Sequence, residues 1–389
     1  IKLSMKMIRK IFRAFLFIIG ITWIALYIFG YDYLIKAVRV TYLTGHSTAF
    51  IDDFKYFDNQ IIQKGVNPQP WPKAPFYQNI VSENLDKLNQ KYGTAAFLII
   101  KNDSIFREKY YNEYNEMSRT NSFSMAKTLV VTLLQKAIQE GYIKSLDQPV
   151  ADFYKEFDTP VGRKMTVGDL ASMGSGLNWD EAYYSPFSIT TRAYFDDDLT
   201  KIILGLKVVD TPGESYKYLS GNTQLLAMII QKSTKQSLAN YLSASFWQPM
   251  GATEMGLWQL DSKESGLAKA YCCIAATARD FARFGKLYKD NGEWNGVQLL
   301  DSTFVEKATK PRFKDGQMYG YGLWLLNNYN GRDFFMLRGH LGQYVIVQPE
   351  DNLIIVRLGD QTSSEQINSF SKDIYEYIDE SYKIINDAD

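Results

Sequence analysis

The hydrophobic pattern divides the chain into stretches of different character. An uncharged run of 18 residues from Ala14 to Tyr31 is dense in Ile, Phe and Leu on every side of a helix, and it follows a flank carrying Lys2, Lys6, Arg9, Lys10 and Arg13. A helix of that length just crosses a bilayer, and an apolar surface all round separates it from an amphipathic core helix. Basic residues on the N-terminal side predict a cytoplasmic start and an outward-facing remainder. No small-x-small cleavage site and no lipid-accepting Cys follows the run. The expectation is therefore an uncleaved anchor over residues 1–31, single-pass in the cell inner membrane, with the remaining chain facing the periplasm or the exterior.

From Asp32 to Ile80 the periodicity is poor, and Pro68, Pro70, Pro72 and Pro75 surround Trp71. That composition predicts an extended linker laid on a domain surface. Beyond it, Ala95 to Lys101 reads as a strand, Asn102-Asp103 as a turn and Ser104 to Tyr111 as the return strand. Ser124 to Glu140 has apolar residues at helical spacing and stops at Gly141. Between about 145 and 310 the pattern is mostly helical, with pieces at Thr223 to Lys232 and Thr277 to Tyr288. Three strands then follow at Asp333 to Leu337, Gln343 to Gln348 and Leu353 to Leu358, and a helix from Glu365 to Ser381 closes the chain. Strands at both ends of residues 81–389, with a helical lobe over roughly 150–310 between them, predict an α/β (α+β) domain. Its antiparallel sheet is assembled from distant parts of the chain.

Charge narrows the choice of partner. Lys and Arg number 43 and Asp and Glu 43, so no global field favours nucleic acid. Two His and two Cys at their present spacings match no zinc pattern. The cysteines, Cys272 and Cys273, are adjacent, and an ordinary disulfide needs Cα atoms further apart than neighbours allow. They are expected to be small buried thiols.

Three short strings carry chemistry. In Ser124-Met125-Ala126-Lys127 the hydroxyl and the amine lie one helical turn apart on one face. A serine becomes a nucleophile when a base takes its proton, and a lysine serves when burial or nearby charge holds its amine partly neutral. The same spacing recurs at Ser369 and Lys372, on the last helix, where a surface role is expected. Tyr218-Leu219-Ser220 follows a Thr-Pro-Gly-Glu turn and precedes a helix, so Tyr218 can point into a cleft; Tyr241-Leu242-Ser243 repeats the string inside a helical stretch, where packing is expected. A phenol beside a lysine ammonium is expected to ionise below its ordinary value of about 10. Finally, Gly339 and Gly342 bracket His340 just before a strand, where glycines let backbone N–H groups approach a substrate.

In this order and spacing, the three strings resemble the serine hydrolases that include class C β-lactamases, D,D-peptidases, esterases and the 6-aminohexanoate-dimer hydrolases. Supporting strings run from Leu146-Asp147 through Thr166-Val167-Gly168-Asp169-Leu170 and Ala278 to Gly285. Tyr-x-Ser and His-Leu-Gly stand where β-lactamases usually carry Tyr-x-Asn and Lys-Thr-Gly, which is closer to the esterase and nylon-oligomer branch. A histidine, partly protonated near neutrality, replaces a full positive charge there. The resemblance implies a β-lactamase/transpeptidase-like fold and an acyl-enzyme on Ser124, with Lys127 and Tyr218 sharing the general-base work. It implies proton positioning by Ser220, an oxyanion hole from the backbone N–H groups of Ser124 and Gln343, and substrate support from His340 and Gly342. It also implies a loop tyrosine, Tyr183, over a small amide or ester substrate, and no metal or organic cofactor. A penicillin-binding D,D-peptidase or β-lactamase of the cell envelope, and a catalytically inactive binding protein, stay open as alternatives.

Overall fold

The computed structural model describes residues 4–75, 77 and 82–387; Lys2 of the basic flank and the expected boundary at 80/81 lie outside them. The apolar run is a helix, α1 (Met5–Ile28), with mean hydropathy 2.2 over its best window and none of that window buried. It is long and apolar enough to cross a membrane or to act as a signal sequence. The segment after it is more than an extended connector. It folds into α2 (Tyr33–Val40) and, further on, the strand β1 (Asn59–Ile62).

The main domain begins with α3 (Glu83–Lys91), then the hairpin β2 (Thr94–Lys101) and β3 (Ser104–Tyr110). Asn102 and Asp103 both take positive φ, 48° and 59°, the pair that a two-residue hairpin turn requires. A short strand, β4 (Thr120–Asn121), leads to the helix α4 (Ala126–Gln139). The helical lobe contains α5 (Ser220–Thr234), after which come β5 (Gly256–Gln259), β6 (Ile274–Ala276) and α6 (Ala278–Lys289). The chain then returns through β7 (Trp324–Tyr329), β8 (Arg332–Gly339), β9 (Gln343–Gln348) and β10 (Leu353–Gly359) to α7 (Lys372–Asn386). The closing helix starts later than expected because a small hairpin at Gln366–Ile367 and Phe370–Ser371 precedes it.

The larger sheet has the antiparallel order β3-β2-β10-β9-β8-β7, with Ile99 opposite Ile355, Ile355 opposite Ile346 and Ile346 opposite Met336. Period-two alternation sends Ala96, Leu98, Val345 and Val347 to one face, into a core shared with α4 and α6. Phe97, Ile99, Ile346 and Ile355 go to the other face, against Leu85 of α3 and Ile374 and Ile378 of α7. Both faces are covered, so these strands read as continuous apolar runs. Each fully buried Leu, Ile or Val contributes about 1.5–3 kcal/mol. The fold is β-lactamase/transpeptidase-like, an antiparallel sheet flanked by helices with a mostly helical lobe beside it.

A second sheet, in the order β1-β5-β6-β4, ties the N-terminal segment to the neighbourhood of Ser124. Asn59 pairs with Gln259, Leu257 with Ala275, and Ala276 with Thr120. Four residues downstream of Thr120 stands Ser124.

Candidate active site

Ser124 lies in a single 3-10 turn, Phe123–Met125, that opens directly into α4. The residue before it, Phe123, holds φ of 45°, an uncommon backbone for a bulky side chain that survives only where neighbours impose it. Those neighbours are buried and polar. Asn121 Oδ1 accepts from the Phe123 N–H at 3.0 Å, and Asn121 Nδ2 donates to Asp53 at 2.9 Å. The Tyr194 hydroxyl donates to the other Asp53 oxygen at 2.6 Å. Ser122 is locked to β6 in both directions, accepting from the Ile274 N–H at 3.2 Å and donating its own N–H to Ile274 O at 2.7 Å. The segment expected to be a linker thus supplies Asp53, which buttresses the turn that carries Ser124.

Lys127 is one helical turn on and 2 % exposed. Its Nζ donates to Ser124 Oγ at 2.9 Å and to Tyr271 O at 2.8 Å. Burial pushes the amine down to about 8, against the opposing pull of Glu181. Roughly a tenth of such a lysine is neutral at pH 7. Tyr218 comes from the connection before α5; its ring lies under Lys127 Nζ at 5.1 Å from the centroid, and its hydroxyl interacts with Ser124. Contrary to the expectation of a depressed value, burial first and the Glu181 charge second push this phenol up, against the opposing pull of Ser124 and, more weakly, of Arg338. The resting tyrosine is a neutral phenol, and the lysine is the group brought near neutrality.

His340 corrects a second expectation. Its ring is enclosed by Phe123 edge-on at 5.6 Å, by Tyr183 stacked at 5.6 Å and by Tyr184 at 6.3 Å. Burial pushes the imidazole down to about 4, so it is neutral near pH 7 rather than partly charged. Its Nε2 is buried without a hydrogen-bond partner among the described residues, as is the hydroxyl of Tyr271. Gly342 holds φ of 83°, and a Cβ there would sit 2.1 Å from Arg357 Nη1. Its absence lets the buried guanidinium reach the carbonyls of Leu341 and Gly342 at 2.9 and 2.8 Å. The Gln343 side chain is equally structural, donating to Gly359 O at 2.6 Å across the ends of β9 and β10.

Ser124, Ser220, His340 and Tyr183 line one cavity of about 170 Å³, with Phe123, Tyr184, Tyr271 and Cys272 in its walls. Lys127 and Glu181 sit just behind it, bonded to Ser124 and Ser220. Glu181 escaped notice in the sequence, although it accepts from both the backbone N–H and, at 3.3 Å, the hydroxyl of Ser220. Its only signal was proximity to Tyr183. Tyr271 likewise carried none. The adjacent cysteines are joined through their sulfurs and neither is free, against the expectation of two thiols. Cys273 takes φ of 80°, a left-handed turn of the backbone outside the geometry on which that expectation rested. Among the described residues no group of three or more His, Cys, Asp or Glu converges on a metal position.

Comparison with known proteins bears on the family and the fold. A 6-aminohexanoate-dimer hydrolase of Paenarthrobacter ureafaciens is 25% identical over 236 residues, 58% of this chain and 59% of that protein. The protein flp of Staphylococcus aureus (strain COL) is 28% identical over 188 residues, 46% of this chain and 37% of that protein. The chain therefore spans less than two thirds of these curated relatives. A solved structure described as a putative 6-aminohexanoate-dimer hydrolase from Bacillus anthracis superposes with a TM-score of 0.70 at 23% identity, covering 86% of this chain and 92% of that one. The family model described as Beta-lactamase matches residues 77–370, a stretch holding all three motifs, and the chain belongs to that family of the penicillin-recognising serine hydrolase superfamily.

Proposed function

We propose that this chain is a serine hydrolase that cleaves amide or ester bonds through an acyl-enzyme on Ser124. The observation that carries the reading is the 2.9 Å contact between Ser124 Oγ and a buried Lys127 whose amine is held near neutrality by burial. When Lys127 loses its proton, that hydrogen bond reverses and the amine accepts from the hydroxyl. Ser124 Oγ then attacks the substrate carbonyl, and the serine proton passes to Lys127. The neutral phenol of Tyr218 donates its own proton to the leaving amine or alcohol and is restored from the Lys127 ammonium. A water molecule next attacks the acyl-enzyme carbonyl, returning the serine proton and releasing the acid. Backbone N–H groups of Ser124 and Gln343 would hold the developing oxyanion. The unpartnered His340 Nε2 and Tyr271 hydroxyl would bond polar atoms of the substrate, with Tyr183 closing over it.

Among the described residues the cavity wall carries no Asp, Glu, Lys or Arg side chain, and a neutral His340 offers no charge to a carboxylate. Both features favour uncharged groups around the scissile bond over the anionic end of a β-lactam. The name of the Paenarthrobacter relative, a 6-aminohexanoate-dimer hydrolase, points to an amide bond as the one cleaved. Helix α1, with Lys6, Arg9, Lys10 and Arg13 toward its start, would hold the domain on the outer side of a membrane as a single-pass anchor. The reading is tested with p-nitrophenyl acetate and short linear amides. The full chain should turn over the ester, and Ser124→Ala should lower the rate at least a hundredfold. Unchanged activity in Ser124→Ala would refute it.

A further inference from the structure

The Ser124 cavity is roofed by the chain that emerges from α1. Ala37, Thr41, Tyr42 and Ala49 line it from the N-terminal side, opposite Tyr184 and Pro186. The exit of the apolar helix is fastened to this same wall. The Tyr31 ring meets Phe187 edge-on at 5.8 Å, and the Tyr33 hydroxyl donates to Pro186 O at 2.9 Å. Tyr31 is three residues past the end of α1, and three residues of chain span at most about 11 Å. The lip of the catalytic cavity is therefore within a short step of the point where the apolar helix ends.

That lip is apolar and uncovered. Tyr184 is 78%, Leu43 76% and Phe187 69% exposed, and Tyr27, Phe29 and Tyr31 continue the aromatic series down to the helix end. Aromatic rings gathered where an apolar helix meets water are the composition of a membrane interface. The interior matches, because aromatic and small neutral side chains form the wall. A cavity of about 170 Å³ holds on the order of one benzene-sized apolar group, so a longer hydrocarbon chain would have to continue over the exposed lip.

We infer that the cleft opens onto the bilayer surface and takes an ester or amide of an aliphatic acyl chain, supplied by an amphiphile dissolved in that bilayer. The inference rests on the Ser124 hydrolase reading and on α1 acting as an anchor. Its substrate has an uncharged hydrocarbon acyl group, which enters between the residue 41–49 roof and the residue 183–187 loop. Leu43 and Phe187 touch the bilayer and stand outside the cavity wall.

The experiment reconstitutes the full chain in phosphatidylcholine vesicles and measures hydrolysis of p-nitrophenyl esters from acetate to decanoate. The kcat/KM should rise at least tenfold along the series. Leu43→Glu combined with Phe187→Glu should lower the decanoate value at least fivefold and leave the acetate value within twofold. Leu43→Glu alone, at an exposed position, gives the same test with a smaller drop should the paired substitution disturb the Tyr31 contact. A flat or falling series with active acetate hydrolysis overturns this inference and leaves the Ser124 reading intact. An undiminished decanoate rate in both Leu43 variants overturns the bilayer contact. Absence of turnover at every chain length overturns the Ser124 reading itself.

Discussion

The chain contains two Ser-x-x-Lys strings with identical spacing and opposite surroundings. At Ser124 and Lys127 the serine lies in a 3-10 turn leading into a helix buried nearly all round, and the amine is 2.9 Å from the hydroxyl. At Ser369 and Lys372 the serine is exposed in a hairpin turn, and the lysine opens α7 with its Nζ 2.8 Å from Glu365. Burial pushes the first amine down, whereas the Glu365 hydrogen bond pushes the second up. The paired tyrosines repeat the contrast. Tyr218 is directed at Ser124, whereas the Tyr241 hydroxyl donates to Glu140 at 2.8 Å on the helical lobe. Spacing makes a contact possible; burial of the lysine and the convergence of Tyr218 set the first string apart.

The sharpest way to break this comparison is to remove each lysine. Lys127→Ala should slow ester hydrolysis by a hundredfold or more, the scale of general-base loss, while Lys372→Ala should leave the rate within twofold. Equal effects would remove the distinction. Tyr218→Phe should come next, again by about a hundredfold in kcat, because it deletes the proposed proton donor to the leaving group. Tyr241→Phe should cost only about 1 kcal/mol of stability, read as a lowered denaturation midpoint with kcat unchanged. His340→Ala should be the mildest of the site variants. If the neutral, ring-enclosed imidazole orients substrate as proposed, the loss should be less than tenfold and fall mainly on KM. Abolished hydrolysis in His340→Ala, with near-normal rates in Lys127→Ala, would transfer the base role to the histidine.

The elements that could be read beforehand were those whose pattern is local. The β2–β3 hairpin, the strands β8 to β10 and helix α4 carry their own periodicity and turn residues. Lys127 stands beside Ser124 by covalent necessity. What was hidden depends on distant partners. β1 is four residues long and pairs with residues about 200 positions away, so no periodicity announces it. Asp53 acquires meaning only through Asn121 and Tyr194, and Glu181 only through Ser220. The protonation states of Tyr218 and His340 were misjudged for the same reason. A charged residue type can be read from the sequence, whereas the desolvation of a phenol or an imidazole depends on the assembled fold.

The central claim is that a dehydrated Lys127 activates Ser124, and covalent labelling tests it most directly. The full chain is treated with a fluorophosphonate across pH 6 to 9.5, and the modified residue is identified by peptide mass spectrometry. The labelling rate reports the fraction of Lys127 that is neutral. Below its pKa the protonated amine cannot accept the serine proton, so the rate should climb about tenfold per pH unit and level off above about 8. Label should appear on Ser124 and not on Ser369. Labelling elsewhere, or a rate on Ser124 independent of pH over this range, would contradict the account.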